Sequence, residues 1–502
     1  MKRFLVVFAL VVFALFAVSC VDQEEDGGDQ TAAPIISIPG GVLPYSGSYV
    51  TLRCATRDAK IYYTLDGSNP STGTLYTNSV QINKASTLRA IAKMDGLTDS
   101  EEATASYTIY SSPLADFALS MKIGWNLGNT MDGHSSGNPS ETAWQGTVTT
   151  QALMNGLKES GFGLVRIPVT WLNKIGPAPD YIIDADWLNR VGEIAGYVRD
   201  AGMKAMINLH HDGADSSRWL SVRRDALQTP KKEEINEKYI AVWAQIAEKF
   251  KNEDYYLMFE AFNELHDGNW GYTSSGTMHG GVNVITTDQD IQNQYARVNE
   301  LNKIFVETVR ATGSKNADRY LVLPCLVTRP SMANELELPQ DTAQNRLIVT
   351  VHFYDPYEFS GSGTQKVWGQ NAIRGHWGNE ANVRRQFDNL KTWFTSQGIP
   401  IILGEYGAVH IVGQERFRKY YMEYVTKYAV DSGIIPVYWD NNGFHTNQTN
   451  TSSNPSEKFG LIDRTTGKAR TGTNTTHADV LAVMMKAAYD DYSYHEIEVP
   501  SP

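Results

Sequence analysis

The chain has 502 residues, 42% of them hydrophobic and 20% charged, which is enough apolar material for one large core and a smaller second one. Its 56 acidic against 44 basic side chains leave a formal charge of −12, so no cationic surface is on offer to nucleic acid, and a neutral substrate suits the chain better.

At the N-terminus, Lys2 and Arg3 precede an apolar run from Phe4 to Val18, followed by Ser19 and Cys20. That pattern reads as a bacterial lipoprotein signal peptide over residues 1–20, with an acidic linker over 21–33. The expectation is a secreted protein at the cell envelope or surface, tied to the membrane only by a lipid on Cys20. An uncleaved anchor is the alternative. Cys54 and Cys325 then remain, in segments assigned to different domains, so neither a disulfide framework nor a thiolate metal site is available.

Residues 34–110 carry short alternating runs, Tyr49 to Cys54, Lys60 to Leu65, Thr87 to Lys93 and Ala103 to Ile109, broken by Asp66-Gly67-Ser68-Asn69-Pro70 and Asp95-Gly96. This predicts a small antiparallel sandwich. The run from Ile61 to Pro70, with Thr87 to Ala92, resembles the chitobiase/β-hexosaminidase C-terminal-like domain found beside carbohydrate enzymes. A spacer role is preferred to a sugar-binding one, since no aromatic platform stands out.

From Leu114 to Asp490 the rhythm becomes strand, helix, strand, helix. Eight short apolar strands are predicted to begin near Lys122, Leu164, Lys204, Tyr256, Tyr320, Leu347, Pro400 and Ile434. Amphipathic stretches such as Ile235 to Phe250, Tyr295 to Thr312, Ala381 to Ser396 and Gln414 to Ser432 lie between them. Eight such units predict an α/β fold, a (β/α)₈ TIM barrel over residues 114–490. An open doubly wound sheet is disfavoured because Asn126-Leu127-Gly128-Asn129 stands where a glycine-rich phosphate loop would.

A barrel of this kind gathers its reactive groups at the carboxyl ends of the strands. The second run ends in Arg166, the third in His210-His211, the fourth in Asn263-Glu264, the sixth in His352 and Tyr354, the seventh in Glu405 and the eighth in Trp439. Each residue alone has an ordinary structural explanation; their coincidence at six strand ends points to one space. Strands four and seven lie nearly opposite, so Glu264 and Glu405 form a pair suited to acetal cleavage: one protonates a leaving oxygen while the other meets the positive charge at the sugar carbon. A gap of about 5 to 5.5 Å gives retention and roughly 6.5 to 9.5 Å gives inversion. The spacing in sequence does not set that gap.

Five motifs in order, Gly161 to Trp171, Asn208-Leu209-His210-His211-Asp212, Phe259 to Glu264, Val351-His352-Phe353-Tyr354 and Leu403-Gly404-Glu405-Tyr406-Gly407, resemble glycoside hydrolase family 5. The runs Gly124 to Asp132, Tyr438 to Asn441 and Phe459 to Asp463 are similar to its endoglucanase and xyloglucanase branch, subfamily 4. The resemblance implies a retaining endo-β-1,4-glucanase with Glu264 as acid/base and Glu405 as nucleophile. The substrate is then a β-glucan, cellulose-like or mixed-linkage. Xyloglucan is the alternative and mannan a lesser one.

The neighbours take physical roles. Arg166 keeps Glu405 ionised and Tyr354 orients it; the charge on Glu405 in turn keeps Glu264 protonated. Asn263 is placed for the sugar 2-hydroxyl, and His210, His211 and His352 for hydroxyls or carboxylates. Adjacent strand residues point oppositely, so His210 and His211 serve together only if their strand has already ended. Trp439 offers a face to a pyranose ring, Trp368 extends the cleft toward the leaving side, and Asn129 and Asp132 meet the next sugar out.

Long connections from Gly268 to Asp288 and Asn442 to Ser456 shape the cleft. The sequons at Asn447, Asn450 and Asn474 carry no meaning in a bacterial host. No cofactor and no metal are expected. A metal-dependent hydrolase built on His210, His211, Asp212 and His352 is the rival enzyme class, and a non-catalytic surface glycan-binding lipoprotein the rival outside enzymes. A monomer suffices.

Overall fold

The computed structural model describes residues 30–43, 48–109, 113–213, 218–279, 281–372, 377–413, 415–444, 458–471 and 476–501. The signal peptide, Cys20, the linker as far as residue 29, the three sequons and residues 445–457 of the connection after the last barrel strand lie outside them.

The N-terminal unit is all β. Its main sheet has the order Gly41–Leu43, Ala103–Ile109, Ser86–Lys93, Lys60–Thr64, Thr74–Leu75, and Ser48–Val50 pairs separately with Val80–Ile82. Alternation sends Ala105 and Tyr107 inward from one strand to meet Leu88, Ala90 and Ala92 from the next, with Val50, Ile61 and Ile82 completing the core. Between strands the chain reverses at Asp66-Gly67-Ser68, where Asp66 accepts the Ser68 N–H and Gly67 takes a left-handed φ of 78°. The strands at Gly41–Leu43 and Val80–Ile82 are too short to announce themselves by periodicity.

The second unit is a closed parallel barrel. Its strands are β1 (Gly124–Leu127), β2 (Leu164–Ile167), β3 (Lys204–Ile207), β4 (Leu257–Glu260), β5 (Leu321–Pro324), β6 (Leu347–Phe353), β7 (Ile401–Tyr406) and β8 (Ile434–Asp440), and β1 pairs with both β2 and β8. Every strand residue is buried except the half-buried Lys204 and Leu347. Helices cover the outer face and the barrel's own side chains fill the inner one, which is why these segments read as apolar runs without alternation. The helix Glu415–Asp431 is buried along most of its length, and Lys427 on it lies over the rings of Tyr49 and Tyr492.

Buried carboxylates fix the rim from which the strand ends project. Asp212 accepts the backbone N–H groups of Trp171 and Leu172 and the indole N–H of Trp219, tying the loops after β2 and β3 together. Asp440 does the same after β8, accepting the N–H groups of Asn442, Leu461 and Ile462 and a contact from Arg464. Neither carboxylate is left free for a metal ion without breaking the loops it holds.

The stretch from Gly268 to Asp288, expected as a long connection, contains an antiparallel hairpin of Ser274–His279 with Val282–Thr286. Its root is held by Asn269, whose amide donates to the Val284 carbonyl and the Thr286 hydroxyl. Most of its side chains are exposed, so it has no buried face to leave an apolar signature. A capping box of Thr287 and Asp290 then starts the helix Asp288–Ala311.

Candidate active site

At the carboxyl end of the barrel the guanidinium of Arg166 is completely buried. From β2 it reaches three other strands or their ends: Nη1 donates to Glu405 Oε1 at 2.7 Å and to Asn126 Oδ1 at 3.0 Å, Nε to Glu260 Oε2 at 2.8 Å, and Nη2 to Asn263 Oδ1 at 2.8 Å. Burial acts against its charge, but Glu260 and Glu405 more than offset that and hold the group cationic. Asn126 also donates to the Gly404 carbonyl, locking β1 to β7 beside the charge.

Glu405 is aimed by a β-bulge. The register of β7 slips by one residue against β6 between Val351 and His352, and its pairing with β8 is irregular over Leu403 to Tyr406. A bulge of this kind re-aims a side chain at the edge of a site. Residue 404 has to be glycine here, because a Cβ would stand 2.6 Å from the Thr350 hydroxyl and 3.1 Å from His352 Nε2. The Tyr354 hydroxyl donates to Glu405 Oε2 at 3.2 Å.

Glu264 stands four residues beyond the end of β4. Its Oε1 is 2.7 Å from His352 Nδ1, which is itself 3.7 Å from Glu405 Oε2. One oxygen of each glutamate and this ring nitrogen all lie within 4.8 Å of one another. Burial raises the pKa of both carboxyls above 4.5; on Glu405 this is opposed chiefly by His352 and Arg166, with Glu264 adding to the rise. The direct guanidinium contact belongs to Glu405 alone. Burial also pushes His352 down to about 4, so its bond to Glu264 joins a neutral imidazole to a carboxyl group, and either partner can hold the shared proton.

Around this pair the predicted residues divide. Trp439, His210 and His211 gather on one wall: the Trp439 and His210 rings stack in parallel at 5.8 Å, and His210 meets His211 at 4.6 Å. Both histidines lie beyond the end of β3 at Ile207, so strand alternation does not separate them. His210 is held well below its usual pKa by burial and stays neutral. Asn129 is half-buried in the turn after β1, with a left-handed φ of 56°.

Two expectations need correction. Trp368 is not in the cleft: it is 1% exposed, its indole donates to the Gly378 carbonyl, and its ring packs on Tyr420, Tyr421 and Tyr424 of a barrel helix. Asp132 does not face a sugar either. It is fully buried and accepts the N–H groups of Asn129 and Thr130, so it shapes the turn and approaches the rim only through His211 at 3.8 Å.

Glu260, Asn126 and Asn208 belong to the site and were not singled out from the sequence. Asn208 donates to Glu260 Oε2 at 2.9 Å, opposite Arg166. The signal was present in Leu257-Met258-Phe259-Glu260: a carboxylate on a strand buried on both faces requires a buried cation, and Arg166 stands in the same kind of context.

Comparison with known proteins places the chain. The cellulase (glycosyl hydrolase family 5) profile matches residues 128–445, and the chitobiase/beta-hexosaminidase C-terminal domain profile residues 39–114. Endoglucanase A of Paenibacillus barcinonensis is 34% identical over 356 residues, 66% of this chain and 84% of that protein. The xyloglucan-specific endo-beta-1,4-glucanase of Bacteroides ovatus is 30% identical over 371 residues, 69% of this chain and 66% of that protein. Among solved structures, a GH5-4 broad specificity endoglucanase from Bacteroides salanitronis superposes with a TM-score of 0.67 at 40% identity, covering 76% of this chain and 96% of that one.

The shared cation leads to a prediction. Activity is expected to follow a bell-shaped pH profile, rising as Glu405 ionises and falling as Glu264 loses its proton, with both limbs above pH 4.5 because both pKa values are raised. Glu260→Gln leaves Arg166 with one carboxylate instead of two, so the acid limb of kcat/KM should move to lower pH. An unmoved limb would mean that Glu260 does not draw on the field that Glu405 feels.

Proposed function

Because the chain belongs to glycosyl hydrolase family 5, we propose that its two buried glutamates are the catalytic pair of its retaining endo-β-1,4-glucanase reaction, Glu405 as nucleophile and Glu264 as acid/base. The observation that carries this reading is their closeness, oxygen to oxygen within 4.8 Å, with the Arg166 guanidinium bonded to Glu405 and not to Glu264. Nearest oxygens this close support direct attack on the sugar carbon, which goes with carboxyl groups about 5 to 5.5 Å apart, over a water held between them, which takes roughly 6.5 to 9.5 Å.

In the first step Glu405 attacks C1 while Glu264 gives its proton to the glycosidic oxygen, so the C1–O bond breaks and a glycosyl ester forms. The negative charge of Glu405 is consumed as its oxygen bonds to C1. Glu264, now ionised, takes a proton from water as that water attacks C1, and Glu405 leaves as carboxylate. Asn263, its Oδ1 fixed by Arg166, presents its amide N–H groups to the 2-hydroxyl. Tyr354 keeps Glu405 from turning away from C1, and Trp439 backs the cleaved sugar.

For the substrate we favour a cellulose-like or mixed-linkage β-1,4-glucan. Xyloglucan is the second reading, favoured by the similarity to the Bacteroides ovatus enzyme; mannan is a lesser one. Outside the described residues, Lys2-Arg3, the apolar run and Cys20 support export and a lipid anchor at the cell envelope.

Four outcomes are expected. Glu264→Ala and Glu405→Ala each lower turnover on polymer by several orders of magnitude with the fold intact. On an aryl cellobioside with a good leaving group the Glu264 variant still releases phenol in a burst, whereas equally slow release from both variants would reverse or abolish the assignment. Side by side, carboxymethylcellulose and lichenan should yield reducing ends faster than xyloglucan and glucomannan; a clear preference for xyloglucan selects the second reading. Cys20→Ala should shift the enzyme from the membrane fraction to the soluble one, and retention on membranes would argue for an uncleaved anchor.

A further inference from the structure

We propose that Thr328, in the loop after β5, is a positioning residue for the acid/base: its hydroxyl steadies Glu264 and follows that carboxyl through both of its protonation states. The inference rests on the glucanase reading above, in which Glu264 gives and then takes the proton.

The backbone singles this loop out. Val327 and Thr328 have left-handed φ values of 57° and 52° in succession, a conformation in which glycine or asparagine is the ordinary occupant and a β-branched residue is an outlier. Backbone of this kind persists only where its surroundings over-determine it, and it collects at active sites. Here one of the restraining bonds runs to the acid/base segment itself: the Val327 N–H donates to the carbonyl of Leu265, the residue after Glu264, at 3.3 Å. The Thr328 and Arg329 N–H groups donate back to the Cys325 and Leu326 carbonyls at 3.0 and 3.2 Å, which closes the turn.

Bent in this way, the loop aims a fully buried hydroxyl at the carboxyl group. Thr328 Oγ1 lies 3.5 Å from Glu264 Oε1 and 2.5 Å from the Val327 carbonyl oxygen. The same Oε1 is 2.7 Å from His352 Nδ1. It is therefore bracketed by two groups that can each donate or accept, and Oε2 is left to reach the glycosidic oxygen and then the water.

A hydroxyl has one proton to give and lone pairs that receive. With Glu264 protonated, Thr328 donates to the Val327 carbonyl and turns a lone pair to the carboxyl; once Glu264 has given up its proton, the hydroxyl rotates and donates to the carboxylate. Bonds of this type are often long in the free enzyme and tighten when substrate is in place. The charged and titratable groups that face Glu264 are His352 from β6, Glu405 from β7, Arg166 from β2, and His211 and His266 from the loops after β3 and β4. Thr328 adds an uncharged donor to this set, and it opposes the upward pull that burial exerts on the carboxyl.

Thr328→Val keeps the branched shape and removes the hydroxyl, whereas Thr328→Ser keeps the hydroxyl. On cellotetraose, whose leaving alcohol needs a proton, the valine variant should lose about threefold in kcat/KM, and its falling limb should move to higher pH by about half a pH unit, because a carboxylate deprived of a donor holds its proton longer. The serine variant should match the wild type. Thr328→Ala, small enough to fit where threonine does, should behave as the valine variant. On dinitrophenyl β-cellobioside, whose phenol departs unaided, kcat/KM should be the same for wild type and every variant. An unmoved limb in both variants that lack the hydroxyl, or equal losses on the two substrates, overturns the role of Thr328. A wild-type profile on cellotetraose with no falling limb overturns the acid/base assignment beneath it, and the proposal with it.

Discussion

A guanidinium with no access to water sits at the centre of this barrel, and most of the site's geometry is the consequence of keeping it there. Removing an isolated charge from solvent costs several kcal/mol even after relaxation, so Arg166 is tolerable only while its donors are engaged. Glu260, Glu405, Asn126 and Asn263 engage them. Those four residues come from β1, β4, β7 and the segment just past β4. The cation therefore acts as a pin through the barrel interior, and the position of Glu405 cannot drift without exposing a buried charge. Stability and catalytic alignment are the same set of bonds at this point.

The two carboxyl groups differ because that pin touches only one of them. Burial favours the protonated form of both. Arg166 contributes a direct ionic contact to Glu405, while Glu264 faces a neutral imidazole that can exchange a proton with it. Two chemically identical side chains, one oxygen of each within 4.8 Å, thus stand in different electrostatic surroundings, a bonded cation beside one and an imidazole beside the other. The wall of Trp439 and His210 supplies shape and little charge, since His210 stays neutral.

The barrel was legible in the sequence because parallel strands covered on both faces produce apolar runs of a length that little else produces, and all eight begin within two residues of the expected points. The glutamate pair was legible because polar residues at the ends of such runs are conspicuous. Features that depend on contacts distant in sequence were not. Trp368 looks the same in sequence whether it lines a cleft or packs beneath a helix, and only the tyrosines of Glu415–Asp431 decide that. Asp132 reads in sequence as a ligand contact because a short acidic turn has no marker for which backbone donors it will capture. The hairpin after β4 left no signature because it buries almost nothing.

The strands themselves are unequal: β6 and β8 run for seven residues and β7 for six, while β1 to β5 have four each. Glu405 is consequently a member of a strand, paired with His352 of β6 and followed by Tyr406, which pairs on both sides, whereas Glu264 rides on chain that has already left the sheet. On the proposed assignment, the mechanical compliance of the two groups matches their tasks. A nucleophile must approach one carbon along one trajectory and gains from rigidity; a proton carrier must first reach toward a departing alcohol and then toward an incoming water, and gains from a softer mount.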